Sequence, residues 1–412
     1  MARTRRNWRN GLRAILAMLP LLGVALPVSA GIGPSRLHAP PDASDYRLGL
    51  ALDGEGKYAL ARRAWIKAAS AENRAAMRGV GDLYAKGQGV PLDFRQAAAW
   101  YRRAASAGDA IAMLKLGMLY ERGRGVKRDI AIAAGWYARS AIAGDFHALD
   151  NIYSLSKEKG FTSQDSKSVL RRFERSARSN NANAMYDLGF FYGNGLLVAF
   201  NEPRAFPWWR KAAAAGNVRA MLTMGVNYRF GLGVKQNANE ATKWFRQAAA
   251  VGDVHAMEML AQLFMSEHKF RATMRWYRRA AKRGDGSAMV GIGDLYDSGM
   301  GVPRNYRTAI QWYRKAAARG DAQAMDYLGS HYRSGWGVTQ NYGKAMLWYR
   351  KAAAAGNALA MVNIGLLYEH GMGVQASHHR AVAWLKKAAA SGSSTGSVVA
   401  KRILAQLKTD GH

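Results

Sequence analysis

Residues 284–392 state one phrase three times: GDGSAMVGIGDLYDSGMGVPRNYRTAIQWYRKAAAR (284–319), GDAQAMDYLGSHYRSGWGVTQNYGKAMLWYRKAAAA (320–355) and GNALAMVNIGLLYEHGMGVQASHHRAVAWLKKAAASG (356–392). Gly284, Gly320, Gly356 and Gly392 stand 36 residues apart. A phrase of that length with a fixed pattern is a supersecondary unit that stacks on its neighbours. In the copy over 321–356, Ala324, Met325, Leu328, Gly329 and Tyr332 fall at helical spacing. They predict a first helix that opens where Asp321 accepts backbone N–H bonds and closes near Gly335. Asn341 then caps a second helix carrying Ala345, Trp348, Tyr349, Ala352 and Ala353, which Gly356 ends. The small residues let paired helices approach closely, and Tyr332 and Trp348 are expected to fill the space between neighbours. One such pair is too small to bury its own apolar stripe, so stacking is obligatory.

The same register runs outward from these copies. Full repeats are expected over 74–109, 110–145, 182–217 and 218–253, with a degenerate copy over 146–181 and a shortened one over 254–285. In the degenerate copy the polar run SLSKEKGFTSQDSKS replaces the paired-glycine turn, and Arg172-Phe173 replaces Trp-Tyr. Gly252 to Gly284 is only 32 residues and lacks a Gly-x-Gly turn, so two short helices with a tight joint are expected there. Pro207 is expected to distort or delay its helix. Residues 45–73 form an N-terminal capping helical unit with Leu48, Leu52, Leu60, Trp65 and Ala69 as its apolar set. At the other end, 393–412 form a capping helix whose Val399, Ile403, Leu404 and Leu407 lie opposite Lys401, Arg402 and Lys408.

The first 30 residues are of a different kind. Arg3, Arg5, Arg6, Arg9 and Arg13 form a basic region, Ala14 to Leu26 an apolar core, and Val28-Ser29-Ala30 a small-residue cleavage site. This is the pattern of a secretory signal cut after Ala30, followed by a proline-bearing linker over 31–44. Thr4-Arg5-Arg6-Asn7-Trp8 has a twin-arginine flavour, but Arg9 stands where that signal wants an apolar residue, which favours ordinary secretion. The expected location is periplasmic or secreted, with no transmembrane segment after cleavage. The chain has no Cys, which excludes disulfides, thiolate chemistry and lipid attachment through an N-terminal cysteine. A formal net charge of +32 predicts attraction to polyanions. In an exported protein those are acidic glycans, cell-wall polymer, lipid head groups and acidic proteins rather than nucleic acid.

The pattern AxAMxxLGxxYxxGxGVxxNxxKAxxWYRKAAAxG, over about 74–392, resembles the Sel1-like repeat, a relative of the tetratricopeptide repeat. The resemblance implies an all-α fold, a right-handed alpha-alpha superhelix or solenoid, and a scaffold or adaptor role with protein partners, in signalling, envelope assembly or polysaccharide export. It implies no common reaction. Similar repeats often carry Glu or Gln before the closing glycine, where this chain has Ala214-Ala215, Ala318-Arg319 and Ala354-Ala355.

Two surfaces stand out as candidate sites. First helices of such arrays line a concave face, where Leu114, Met118, Tyr186, Phe190, Leu222, Val226, Tyr327 and Leu366 are more apolar than solvent requires. Tyr186 and Phe190, beside the degenerate copy, are the expected centre of a groove for a protein partner. Second helices carry Arg102, Arg103, Arg210, Lys211, Arg278, Arg279, Arg314, Lys315, Arg350 and Lys351, which stacking aligns into a basic ridge. The ridge is either a solvated edge with its stems over core aromatics or a surface for an anionic partner, whether acidic protein or acidic glycan. The Gly-x-Gly-Val turns recur in copy after copy, unlike a phosphate loop, and the tryptophans at 100, 136, 208, 244, 276, 312, 348 and 384 keep the period and are expected in the core. His370, His378 and His379 lie around one turn, yet they read as polar turn residues rather than metal ligands. No Ser-His-Asp set is spaced for catalysis, and neither enzyme chemistry nor a cofactor is expected.

Overall fold

A computed structural model describes residues 41–392 and 394–409. The signal-like segment with its expected cut after Ala30, and the linker up to residue 40, lie outside the described residues. Among the described residues there are 21 helices and no strand. The described residues fall into two compact units, one up to residue 237 and one from residue 238 onward.

The N-terminal unit holds α1 (Pro41–Gly54), α2 (Tyr58–Ser70), α3 (Arg74–Lys86), α4 (Phe94–Ser106), α5 (Ala110–Arg122), α6 (Ile130–Ile142), α7 (His147–Leu155), α8 (Ser163–Arg178), α9 (Ala182–Asn194), α10 (Glu202–Ala214) and α11 (Val218–Phe230). The C-terminal unit holds α12 (Ala238–Ala250), α13 (Val254–Ser266), α14 (Phe270–Lys282), α15 (Gly286–Ser298), α16 (Tyr306–Ala317), α17 (Ala322–Ser334), α18 (Tyr342–Ala354), α19 (Ala358–Glu369), α20 (His378–Ala389) and α21 (Thr395–Thr409). Within each unit, sequence-adjacent helices pair and each pair packs on the next, the stacked arrangement of an all-helical solenoid.

Local chemistry sets the helix ends. Asn73, Asp109, Asn181, Asn217, Asp253, Asp285, Asp321 and Asn357 each accept a backbone N–H from the third residue of the helix they precede. Gly335 closes α17 in the left-handed conformation, with φ +74°, and Asn341 opens α18 by accepting from Lys344 at 2.8 Å. Copy 182–217 departs from this pattern, because Leu197 stands at the second turn position and adopts φ +64°. Left-handed backbone costs a non-glycine residue on the order of 1–2 kcal/mol. Leu197→Gly is therefore expected to raise unfolding stability by about 1 kcal/mol. A denaturant titration that shows no gain would reject the strain reading of Leu197.

Several expectations are corrected. Helix α1 begins at Pro41, inside the expected linker, because proline suits the first helical position. Leu48 and Leu60 are 52% and 48% exposed rather than core. The buried face of α2 is Ala61, Ala64, Trp65 and Ala68, which rotates Leu60 outward, while Gly49 and not Leu48 faces the Trp65 indole. Pro207 sits inside α10 without breaking it. The shortened repeat keeps two helices of 13 residues, and all of its shortening falls in the joint Glu267-His268-Lys269. His268 takes φ +57° to make that joint.

The tryptophan ladder also differs from expectation. Only Trp276 of the eight is buried, and the others are half-exposed. The core position belongs to the residue after each tryptophan: Tyr101, Tyr137, Trp209, Phe245, Tyr277, Tyr313, Tyr349 and Leu385 are all buried. Most of these rings lie against a glycine of the facing first helix. A Cβ at Gly117, Gly189, Gly293 or Gly329 would stand 2.4–2.6 Å from the ring of Tyr137, Trp209, Tyr313 or Tyr349. Glycine opens a slot in one helix and the second aromatic of the pair fills it.

Candidate functional site

The ten ridge cations are all exposed, and most of them are bound to the array itself. Four of the first members reach the next repeat: Arg102, Arg278, Arg314 and Arg350 donate to the hydroxyls of Tyr120, Tyr296, Tyr332 and Tyr368 at 3.0, 3.4, 2.9 and 3.1 Å. The second members lie over the preceding tryptophan of their own helix. Arg103, Lys211, Arg279, Lys315 and Lys351 sit 4.2–5.1 Å from the ring centroids of Trp100, Trp208, Trp276, Trp312 and Trp348. At exposed sites each such contact contributes about 0.5–1 kcal/mol. These tryptophans, half-exposed except for Trp276, are thus a platform for the cations, which the sequence pattern Trp-x-x-Lys/Arg already carried. The positive charge still faces solvent, so holding the stems does not remove the ridge's field.

The first-helix positions divide. Tyr186 is 8% exposed, which corrects its place at the centre of a groove. Its ring lies beneath Arg219, whose guanidinium is 4.7 Å from the Phe146 centroid and 6.0 Å from that of Tyr186. Burial pushes the Tyr186 phenol above its ordinary range, and the hydrogen bond with Thr223 works against that rise. Leu114, Met118, Phe190, Leu222, Val226, Tyr327 and Leu366 are half-exposed. Leu366 helps line an open depression of about 390 Å³ with Arg333, Gln340, Tyr342, His370 and Met372. Between these apolar positions run polar ties that periodicity did not reveal. Arg78 donates to Asp109 at 2.8 Å, Lys115 to Asp82 at 2.6 Å, Asn217 to Asn183 at 2.9 Å and Asn363 to Asp326 at 2.9 Å. Each joins one first helix to the first helix or the cap of an adjacent repeat.

Two ionisable groups escaped the sequence reading. Asp187 is 3% exposed in α9, and its burial raises the carboxyl to about 8, against the opposing pull of Arg219. His331 is buried with Nε2 3.1 Å from Asp297 and Nδ1 3.0 Å from the carbonyl of Trp336, which ties α15 to the turn after α17. Trp336 stacks on Tyr306 at 5.8 Å and remains 49% exposed. Of the three turn histidines, His378 meets Glu369 at 3.0 Å, a carboxylate the sequence reading did not place beside it. No group of three or more His, Asp or Glu side chains among the described residues is arranged to hold a metal ion. No helix among the described residues is long and apolar enough to cross a membrane.

A family model described as the Sel1 repeat matches residues 74–109, 110–145, 182–217, 218–253, 269–285, 286–321, 322–357 and 358–393. A Sel1 repeat protein from Oxalobacter formigenes, known from its crystal structure, is 24% identical with a TM-score of 0.52, covering 93% of this chain and 98% of that one. The protective antigen c5321 of uropathogenic Escherichia coli, described as having an SLR fold, is 26% identical with a TM-score of 0.37, covering 89% of this chain and 88% of that one. Yeast Tom70 is 14% identical with a TM-score of 0.37, covering 90% and 96%. No curated protein matches the chain.

Proposed function

The chain belongs to the Sel1 repeat family, whose members generally act as scaffolds for protein–protein interaction, and from that premise we propose an exported, non-catalytic scaffold of the bacterial cell envelope. The signal-like first 30 residues support export to the periplasm or beyond. The observation that carries the reading is the set of half-exposed apolar side chains on first helices of the N-terminal unit, Leu114 and Met118 on α5, Phe190 on α9, and Leu222 and Val226 on α11. Single apolar side chains on a surface are ordinary, but apolar side chains that a repeat register sets in one row form the contiguous kind of patch that marks an interaction site. With Tyr186 buried, Phe190 and Leu222 take its place as the positions to change. Crosslinking in intact cells is expected to capture a partner protein with the parent chain and to lose it in the Phe190→Ala, Leu222→Ala double variant. Unaltered capture by that variant rejects this face.

A second reading is supported by the ridge. Ten exposed cations on stacked helices, in a chain whose net charge of +32 becomes +27 once the five arginines of the first 30 residues are cut away, suit an acidic glycan or peptidoglycan. This reading expects affinity for such a polymer to fall steeply as salt rises, by counterion release. Affinity that is flat between low and high salt removes it.

A further inference from the structure

In the full repeats the inter-helix turn has a fixed seat. The second glycine of each turn packs on the first residue of the second helix one repeat earlier: Gly125 on Phe94, Gly301 on Phe270, Gly337 on Tyr306 and Gly373 on Tyr342, with an added Cβ at 2.2–2.6 Å in every case. The shortened repeat has no such turn, since its period is 32 residues rather than 36. The helix whose start that turn would cover is α12, and there an open depression of about 480 Å³ remains. Asn239, Thr242, Lys243, Arg246 and Gln247, one face of α12, form one wall. Phe264, Glu267 and Lys269 form the other.

The same repeat breaks the ridge pairing. Arg246 corresponds to Arg102, Arg278, Arg314 and Arg350, each of which donates to a tyrosine hydroxyl 18 residues on. Eighteen residues beyond Arg246 stands Phe264, which offers a ring face at 5.9 Å but no acceptor. The Trp244 helix also carries Gln247 where the other repeats place a cation over tryptophan. Arg246 has no hydrogen bond or ion pair among the described residues. Lys243 and Lys269 flank it, Lys269 held 2.9 Å from Glu267 and Lys243 3.9 Å from Glu240. Three cations and one carboxylate line the vacated seat.

We infer that this seat takes an acidic turn of a protein partner, about four residues presenting a carboxylate to the Arg246 fork, in place of the missing Gly-x-Gly-Val turn. The inference rests on the scaffold reading above. Shape argues for a peptide turn, since a turn fills this seat elsewhere in the molecule. Charge argues for an acidic one, and the planar guanidinium with unused donors suits a carboxylate.

The test is fluorescence anisotropy at low salt with labelled acetyl-Gly-Asp-Gly-Glu-Gly-amide, its Asn/Gln counterpart, and inorganic phosphate as competitor. Full-length protein is compared with Arg246→Gln, Phe264→Tyr, and Lys127→Gln, the last an exposed lysine that is not part of the seat's lining. Phe264→Tyr leaves the charge unchanged and supplies the hydroxyl that the other ridge arginines use. The acidic probe is expected to bind roughly tenfold more tightly than the neutral one. Arg246→Gln and Phe264→Tyr should each weaken it about fivefold to tenfold, with Lys127→Gln within about twofold of the parent. Equal weakening by Lys127→Gln would assign the binding to diffuse charge and overturn the proposal. Phosphate displacing the probe at matched concentration would overturn it in favour of a free-oxyanion site, and parent-like binding by Phe264→Tyr would overturn the pairing argument. Thermal melts of all four proteins separate loss of binding from loss of fold. If Arg246→Gln still captures the same partner in cells, the scaffold reading stands and this seat falls.

Discussion

Gly329→Ala is expected to lower unfolding stability by about 2–3 kcal/mol, although alanine is the better helix former by about 1 kcal/mol. The added methyl would stand 2.5 Å from both Cδ1 and Cε1 of Tyr349, a ring with no exposed surface. That ring cannot retreat: its hydroxyl is 3.1 Å from Ser330, and Ala345, Met346, Ala352 and Ala353 are buried around it on α18. The clash must be met by moving a helix, and close-packed interiors resist that. Two further glycines make the result specific. Gly343→Ala, in α18 with only the Asn341 side chain near at 3.4 Å, is expected to stabilise by about 0.5–1 kcal/mol through helix propensity alone. Gly365→Ala should fall between the two, because its slot holds Leu385, whose Cγ would lie 3.1 Å away. Urea titrations of the three variants decide the matter, and Gly329→Ala behaving like Gly343→Ala would remove the slot as the basis of inter-helix packing.

That glycine was visible in the sequence as half of the Leu-Gly pair, yet its meaning was not. Periodicity assigns a helix a buried face about three residues wide, and both Trp348 and Tyr349 fall near it. Which of them enters the partner helix depends on where that helix lacks a Cβ, a fact about two helices at once. The caps were legible because an N-cap side chain acts within three residues, so Asp321, Asn341 and Asn357 stand where the sequence placed them. Leu48 and Leu60 are exposed because a terminal unit is covered on fewer sides than a repeat inside the array. The 32-residue step and the change of Tyr to Phe at 264 were also in plain view, but an empty turn seat appears only when the turns of other repeats are seen to occupy theirs. The burial of Tyr186 has a related origin. Its exposure depended on Arg219, which arrives from the next repeat and covers it.

Beneath that cover lies the group with the second large expected effect. Asp187 is carried into the interior of the N-terminal unit on α9, and the folded protein holds its proton up to about 8, because burial disfavours the charged form more than Arg219 restores it. In the unfolded chain the same carboxyl titrates near 4. Between those values the folded state binds the extra proton, so stability falls as pH rises from roughly 4 to roughly 8. Asp187→Asn keeps the shape and a donor but has nothing to ionise. It is expected to match the parent near pH 4 and to exceed it at pH 7 by about 2–4 kcal/mol, the parent's loss being about 1.4 kcal/mol for each pH unit of that window. Asp294, raised to about 6 by burial against the lowering effect of the hydrogen bond from Tyr313, adds a similar fall over a shorter pH range to both proteins and cancels in the comparison. Arg219→Gln should carry the parent's fall on to higher pH at the same slope, since it removes the one charge that favours the carboxylate. Stability curves of the parent and Asp187→Asn that run parallel from pH 4 to 8 would show that the carboxyl reaches water in the folded state. Diverging curves would mean that this unit carries a buried acid whose ionisation works against its own fold at neutral pH, a cost expected where a residue is retained for something other than stability.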